Sequence, residues 1–247
     1  MWQTDTLVLV TLTFLAAGLV KGVVGLGLPT IVLGMLAIPL GITQAISVLL
    51  VPSLVTNAVQ GFSGPSPLAT CKRLWPLLAA ASLGILVGTG ALARSTGSGP
   101  AVARGVLIAL HGAISLLAPP LPHPGRHERW LSPVTGLLNG LITGFTGSAI
   151  LPGVLFFQAL GLDKERMVQG MGLLFCVSTA VLMAAFTQHR LLTAELAMVS
   201  TLALIPALLG LWLGAKVRRR IAEERFRRLL FLALIVLGVG IVWRTTG

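Results

Sequence analysis

Apolar positions along this chain do not alternate with polar ones; they fuse into long runs. Leu7–Val20, Leu74–Ala93, Val102–Ala118, Met167–Phe186, Leu196–Ala215 and Leu229–Trp243 are almost free of charge. Several approach or reach the roughly 20 residues that a membrane-spanning helix needs. Rich in Leu, Ala, Gly and Val and without a period of two, they predict helices and argue against an outer-membrane barrel. Only 10% of residues are charged and 55% are hydrophobic, against about 25% charged in an ordinary soluble domain. The expected class is therefore an all-α polytopic membrane protein. The first run has no basic segment before it and no small-residue cleavage site after it, so it is read as mature structure.

The polar punctuation repeats. Gly18-Leu-Val-Lys-Gly-Val-Val-Gly-Leu-Gly-Leu-Pro29 is echoed, 118 residues later, by Gly136-Leu-Leu-Asn-Gly-Leu-Ile-Thr-Gly-Phe-Thr-Gly-Ser148. A short turn follows each, Gly41-Ile-Thr-Gln44 and Gly161-Leu-Asp-Lys164. Gly84, Gly88 and Gly90 with Arg94 then answer Pro206, Gly210 and Gly214 with Arg218. Residues 1–118 and 132–247 thus form two transmembrane repeats, joined by a Pro-rich polar linker, 119–131, unsuited to lipid. Half-length repeats are a common plan of secondary transporters.

Each repeat opens on an apolar stretch, 6–38 or 132–160, that is too long for one simple span and is interrupted by glycine and proline. Two arrangements fit: a full span followed by a short helix, or a re-entrant hairpin of two short helices. Hairpins put Lys72, Arg73, Arg126, Arg129, Lys164, Arg166 and seven basic residues of 216–228 on one side. Only Arg94, Arg104, Arg190 and Arg244 fall opposite. That 13-to-4 split is a stronger positive-inside bias than the 11-to-6 split of the alternative. It leaves three full spans per repeat, an odd number, which inverts one half relative to the other. The basic loops 72–73, 126–129, 164–166 and 216–228 are expected to be cytoplasmic, in a bacterial inner membrane.

The net charge of +11 is accounted for by those loops and by attraction to anionic lipid, so nucleic acid is not an expected partner. With no tyrosine in the chain, Trp2, Trp75, Trp130, Trp212 and Trp243, all near ends of apolar runs, supply the interfacial aromatics.

The doubled glycine element at Gly18–Pro29 and Gly136–Pro152, with the glycine-spaced helices ending Ala93-Arg94 and Ala215-Lys216, resembles the sulfite exporter TauE/SafE family over essentially the whole chain. The resemblance implies transport of a small sulfur-containing anion such as sulfite, sulfoacetate or another organosulfonate. The second tip departs from the plain glycine pattern in Phe145-Thr-Gly-Ser148.

Elementary chemistry favours the same place for an anion. Helix N-termini near the midplane present free amides and positive dipole ends. Gly25 and Gly27 let the backbone approach an oxyanion closely, Pro29 suits a first helical turn, and Thr30 adds a hydroxyl. Thr146, Gly147 and Ser148 offer the same at the second tip. Lys21, inside an apolar stretch, costs roughly 2.5–3.5 kcal/mol at membrane depth unless something offsets it. A bound anion would do so; snorkelling to the interface is the alternative. Asn139 is its counterpart in the second repeat. Asn57 and the nearly equivalent pair Ser178-Thr179 are candidates to line the path, and His111 is a candidate proton carrier, with a structural role as its alternative. Gln158 and Gln169, near run ends, are read as interfacial.

All seven acids lie at ends or in loops, which disfavours a cation as cargo. No nucleotide-binding loop is present, no cofactor or metal is expected, and the chain is not read as an enzyme. Rival readings are a thiol relay using Cys71 and Cys176, and a non-transporting scaffold. A homo-oligomer would form through helix faces that periodicity does not single out.

Overall fold

A computed structural model describes residues 3–94, 122–146, 149, 152–222 and the single positions 225, 229 and 232. Among the described residues there are helices and no strand. In chain order they are α1 (Thr4–Val24), α2 (Leu28–Leu40), α3 (Ile42–Phe62) and α4 (Pro67–Arg94), then α5 (Glu128–Thr146), α6 (Gly153–Ala159), α7 (Lys164–Gln188) and α8 (Ala194–Arg220). Helices α1, α3, α4, α7 and α8 are long and apolar enough to cross a membrane. The closing apolar run of each half, around 102–118 and 229–243, lies outside the described residues apart from those single positions.

Both opening segments break where glycine concentrates. Gly25 (φ 85°) ends α1 in the left-handed region, its N–H bonded to the Lys21 carbonyl, and Gly27 (φ 106°) precedes α2. A side chain is strained at both positions. After the break α2 folds back along α1, so that Thr13 Oγ1 lies 3.8 Å from Met35 Sδ. The limbs are unequal and share features of both expected arrangements, a span-length helix followed by a short one that folds back on it. At 21 residues α1 reaches about 31 Å, whereas α2 has 13 residues. In the second half, α5 has 19 residues and α6 only seven.

Packing pairs the halves crosswise. Helix α1 runs parallel to α8: a Cβ on Gly18 would strike the Ala207 carbonyl, one on Gly22 that of Leu211, and one on Gly214 that of Leu19. Helix α5 runs parallel to α4 in the same way, with Gly136, Gly140 and Gly144 against Leu77, Ala81 and Ile85. Small residues four apart let backbones touch, which drives helix association where no hydrophobic gain is available. Each short limb is then wrapped. Leu28, Val32, Leu33 and Leu36 of α2 join a core with α1, α3, α8 and the end of α7. Val154 to Phe157 of α6 join one with α4, α7 and the tip of α1.

Polar contacts fix which ends meet. On one side the starts of α4 and α5 are tied by Arg73 and Glu128 (2.6 and 2.7 Å), and those of α4 and α7 by Thr70 and Gln169. Lys164 Nζ donates to Ile221 O beyond the end of α8 (2.8 Å). On the opposite side Ser47, near the start of α3, donates to Leu191 O before α8. Gln169 is fully buried rather than interfacial, donating to Gly61 O (3.2 Å), one of the carbonyls left free as α3 ends.

Candidate functional site

The two breaks and the middles of α3 and α7 enclose a small cavity of about 30 Å³, room for roughly two water molecules in this closed arrangement. Gly27 and Pro29 contribute from the first break, Thr143 and Ala149 from the second. Ile46, Leu49, Leu50, Ser53 and Asn57 share one face of α3, and Phe175, Ser178, Thr179 and Leu182 one face of α7. Lys21 lies in the wall, 1% exposed.

Pro52 shapes the α3 face. Lacking an N–H, it frees the Val48 carbonyl from the helix ladder, and Ser200 Oγ of α8 donates to that carbonyl (2.7 Å). One turn on, Thr56 Oγ1 accepts from Lys21 Nζ (2.9 Å) and donates to Pro52 O (2.6 Å). Asn57 Oδ1 also accepts from Lys21 Nζ, while its Nδ2 donates to Ser53 Oγ (3.3 Å) and, across to the other half, Thr179 Oγ1 (3.1 Å). Thr179 donates to Phe175 O in turn (2.7 Å). Lys21 therefore does not snorkel. Its ammonium is buried against neutral oxygens, and among the described residues it has no carboxylate within ion-pair distance. Ser178 Oγ, on a residue 1% exposed, has no partner among the described residues.

The candidates divide accordingly. Lys21, Gly27, Pro29, Asn57, Ser178 and Thr179 converge on the cavity, with Gly25 forming the turn beside it. Thr30 lies outside the lining, its hydroxyl buried. Asn139 is fully buried, but its Oδ1 accepts from Gly153 N (3.0 Å) and holds the start of α6 instead of facing the cavity. Pro152 precedes that helix without a side-chain cap, so the Asn139 amide serves as one. The side chain of Thr146, and Gly147, Ser148 and His111 entirely, lie outside the described residues. Cys71 and Cys176 are free thiols in different helices.

Sequence reading misses Ser53 and Thr56, although Ile46, Leu49 or Leu50, Ser53 and Asn57 keep helical spacing that marks one face. It also misses Arg218, which leaves the solvated basic run. Only 7% exposed, it donates to the Gly22 carbonyl at the end of α1 (2.8 Å) and grips Glu165 with two nitrogens at 3.3 Å each. The stripe Gly210, Gly214, Arg218 at intervals of four was the available signal.

Spanning helices interrupted at glycine around a buried, largely apolar cavity with a few polar groups fit the plan of a membrane transporter. Residues 10–241 match the sulfite exporter TauE/SafE family, and the chain belongs to that family. No curated protein and no solved structure matches it.

Proposed function

We propose that the chain carries a small sulfur-containing anion, sulfite or an organosulfonate, outward across a bacterial inner membrane by alternating access around this cavity. One observation carries the reading: the Lys21 ammonium, buried against neutral partners, lines a cavity that both glycine breaks share. A buried cation without a counter-ion is costly, and an anion arriving at the cavity supplies one.

Residues 1–118 and 132–247 act as inverted repeats joined by 119–131. In support, α1 pairs with α8 and α5 with α4, while the two hairpins open from opposite sides. Asn57 and Thr179, in corresponding helices, meet across the interface, where one half can rock against the other. The loops 72–73, 126–129, 164–166 and the beginning of 216–228 gather on one side, which is the cytoplasmic side by the positive-inside rule. An inside-negative potential then drives a monoanion outward by about 2.3 kcal/mol per 100 mV.

The test is efflux of radiolabelled sulfite from proteoliposomes, with and without an inside-negative potassium diffusion potential. Protein-dependent efflux that the potential accelerates, and that an organosulfonate competes for or leaves untouched, supports the reading and sorts the substrate. Flux of sulfite and of labelled sulfoacetate no faster than from protein-free liposomes would end it.

A further inference from the structure

The molecule carries a second cationic feature, far from Lys21 in character. Where α4 and α5 start side by side, an open groove of about 910 Å³ is lined by Lys72, Arg73, Arg126 and Arg129, with Trp75 and Ser132. Glu128 is the only acid in this lining, and both its oxygens are taken by Arg73. Among the described residues, Lys72, Arg126 and Arg129 have no carboxylate within ion-pair distance. Three uncompensated cations therefore share one concave surface, Arg126 from the turn before α5, Arg129 from the first turn of α5 and Lys72 from α4.

The groove's surroundings choose its occupant. Trp75 and Trp130 are 65% and 79% exposed beside it, where amphipathic rings sit at headgroup level. From there the outer faces of α4 and α5 turn apolar and stay exposed, through Leu83, Leu86 and Val87 on one helix and Val134, Leu137 and Leu138 on the other. A ligand fitting both parts has an anionic head and long apolar tails. A freely soluble anion would leave the apolar part unused.

We propose that this groove is a binding site for an anionic phospholipid. Its phosphate lies against Lys72, Arg126 and Arg129, and its acyl chains run down the exposed faces of α4 and α5. Because α4 belongs to the first half and α5 to the second, the lipid clamps the crosswise helix pair. The site is independent of which anion the central cavity carries.

The experiment is thermal unfolding and native mass spectrometry of the detergent-purified protein, with phosphatidylglycerol, phosphatidylcholine or glycerol 3-phosphate added. Phosphatidylglycerol is expected to raise the melting temperature and remain bound, while the other two do neither. With each near-surface cation worth about a factor of five, Lys72→Ala/Arg126→Ala/Arg129→Ala loses roughly 100-fold in lipid affinity. The single variants Lys72→Gln, Arg126→Gln and Arg129→Gln lose about fivefold each, and keep the test open if the triple variant misfolds. Arg219→Ala/Arg220→Ala/Arg225→Ala removes the same charge from exposed positions elsewhere and keeps the affinity. Equal lipid binding by the groove variants, equal loss in the control, or equal stabilisation by glycerol 3-phosphate each overturns the proposal, the last in favour of a soluble-anion site.

Discussion

Lys21→Met separates transport from folding. Methionine keeps the length and apolar stem of the side chain and removes only the ammonium. Relief of a cation at membrane depth is worth about 2.5–3.5 kcal/mol on insertion scales. The opposing term is modest, because Thr56 still donates to Pro52 O and only Asn57 Oδ1 loses its buried donor. One stranded acceptor costs about 1–3 kcal/mol. These nearly cancel, so the melting temperature, followed by tryptophan fluorescence in detergent, moves by a few degrees at most. Transport behaves differently. An anion in the cavity loses its one charge-assisted donor, about 3 kcal/mol or roughly 150-fold in affinity. The assay is the concentration dependence of sulfite flux in proteoliposomes, normalised to folded protein. Flux within threefold of the wild type at subsaturating sulfite would refute Lys21 as the anion's partner. A variant that melts far lower, with normal flux per folded molecule, would make Lys21 a structural residue.

Arg218→Ala strands the buried Gly22 carbonyl and breaks a half-exposed ion pair, and should lower unfolding stability by about 2 kcal/mol, nearly all from the carbonyl. Arg218→Lys, without the fork, should recover less than half in the same denaturant titration. Gly140→Leu drives a side chain into the Ala81 backbone and should abolish folded protein on size-exclusion chromatography, whereas Gly90→Ala, with open space around it, should fold as well as the wild type or better. Ser178→Ala removes a buried hydroxyl with no partner among the described residues, so it should leave stability unchanged and weaken sulfite binding by about five- to tenfold. Unchanged affinity in a thermal-shift titration would remove Ser178 from the site.

The breaks in both opening segments were legible because glycine and proline concentrate there within otherwise uniform apolar sequence. The pairing of helices was not. Helices α1 and α8, apolar on nearly every side, carry no buried face to read, so partner choice rests on Gly18, Gly22, Gly210 and Gly214, as it does for α4 and α5 on Gly84, Gly88, Gly136, Gly140 and Gly144. Those spacings announce close contacts without naming the partner. The unequal limbs were hidden for a related reason. Gly25 marks where α1 stops, but nothing before it distinguishes a span from half of one. Gln169 was misplaced because its distance from a helix end says nothing of Gly61 and Gly172, which let α3 and α7 approach until the amide is enclosed.

The repeat offset carried Lys21 onto Asn139, and there the symmetry of sequence outruns the symmetry of chemistry. Helix α6 begins without a side-chain cap from Pro152 and draws the Asn139 side chain to Gly153 N, away from the cavity. Lys21 is the one cation among the cavity's described lining residues, its counterpart Asn139 being neutral, and the other polar groups are hydroxyls and an amide. One fixed positive charge among neutral donors balances a monoanion. A dianion there, sulfoacetate with both acids ionised among them, would keep a second charge unpaired in low dielectric, which costs several kcal/mol even after relaxation and ranks it below bisulfite. Hydroxyls at Ser178 and Thr179 can then sort anions of the same charge by where their oxygens sit. In this reading charge selection rests on what the second repeat lacks as much as on what the first supplies.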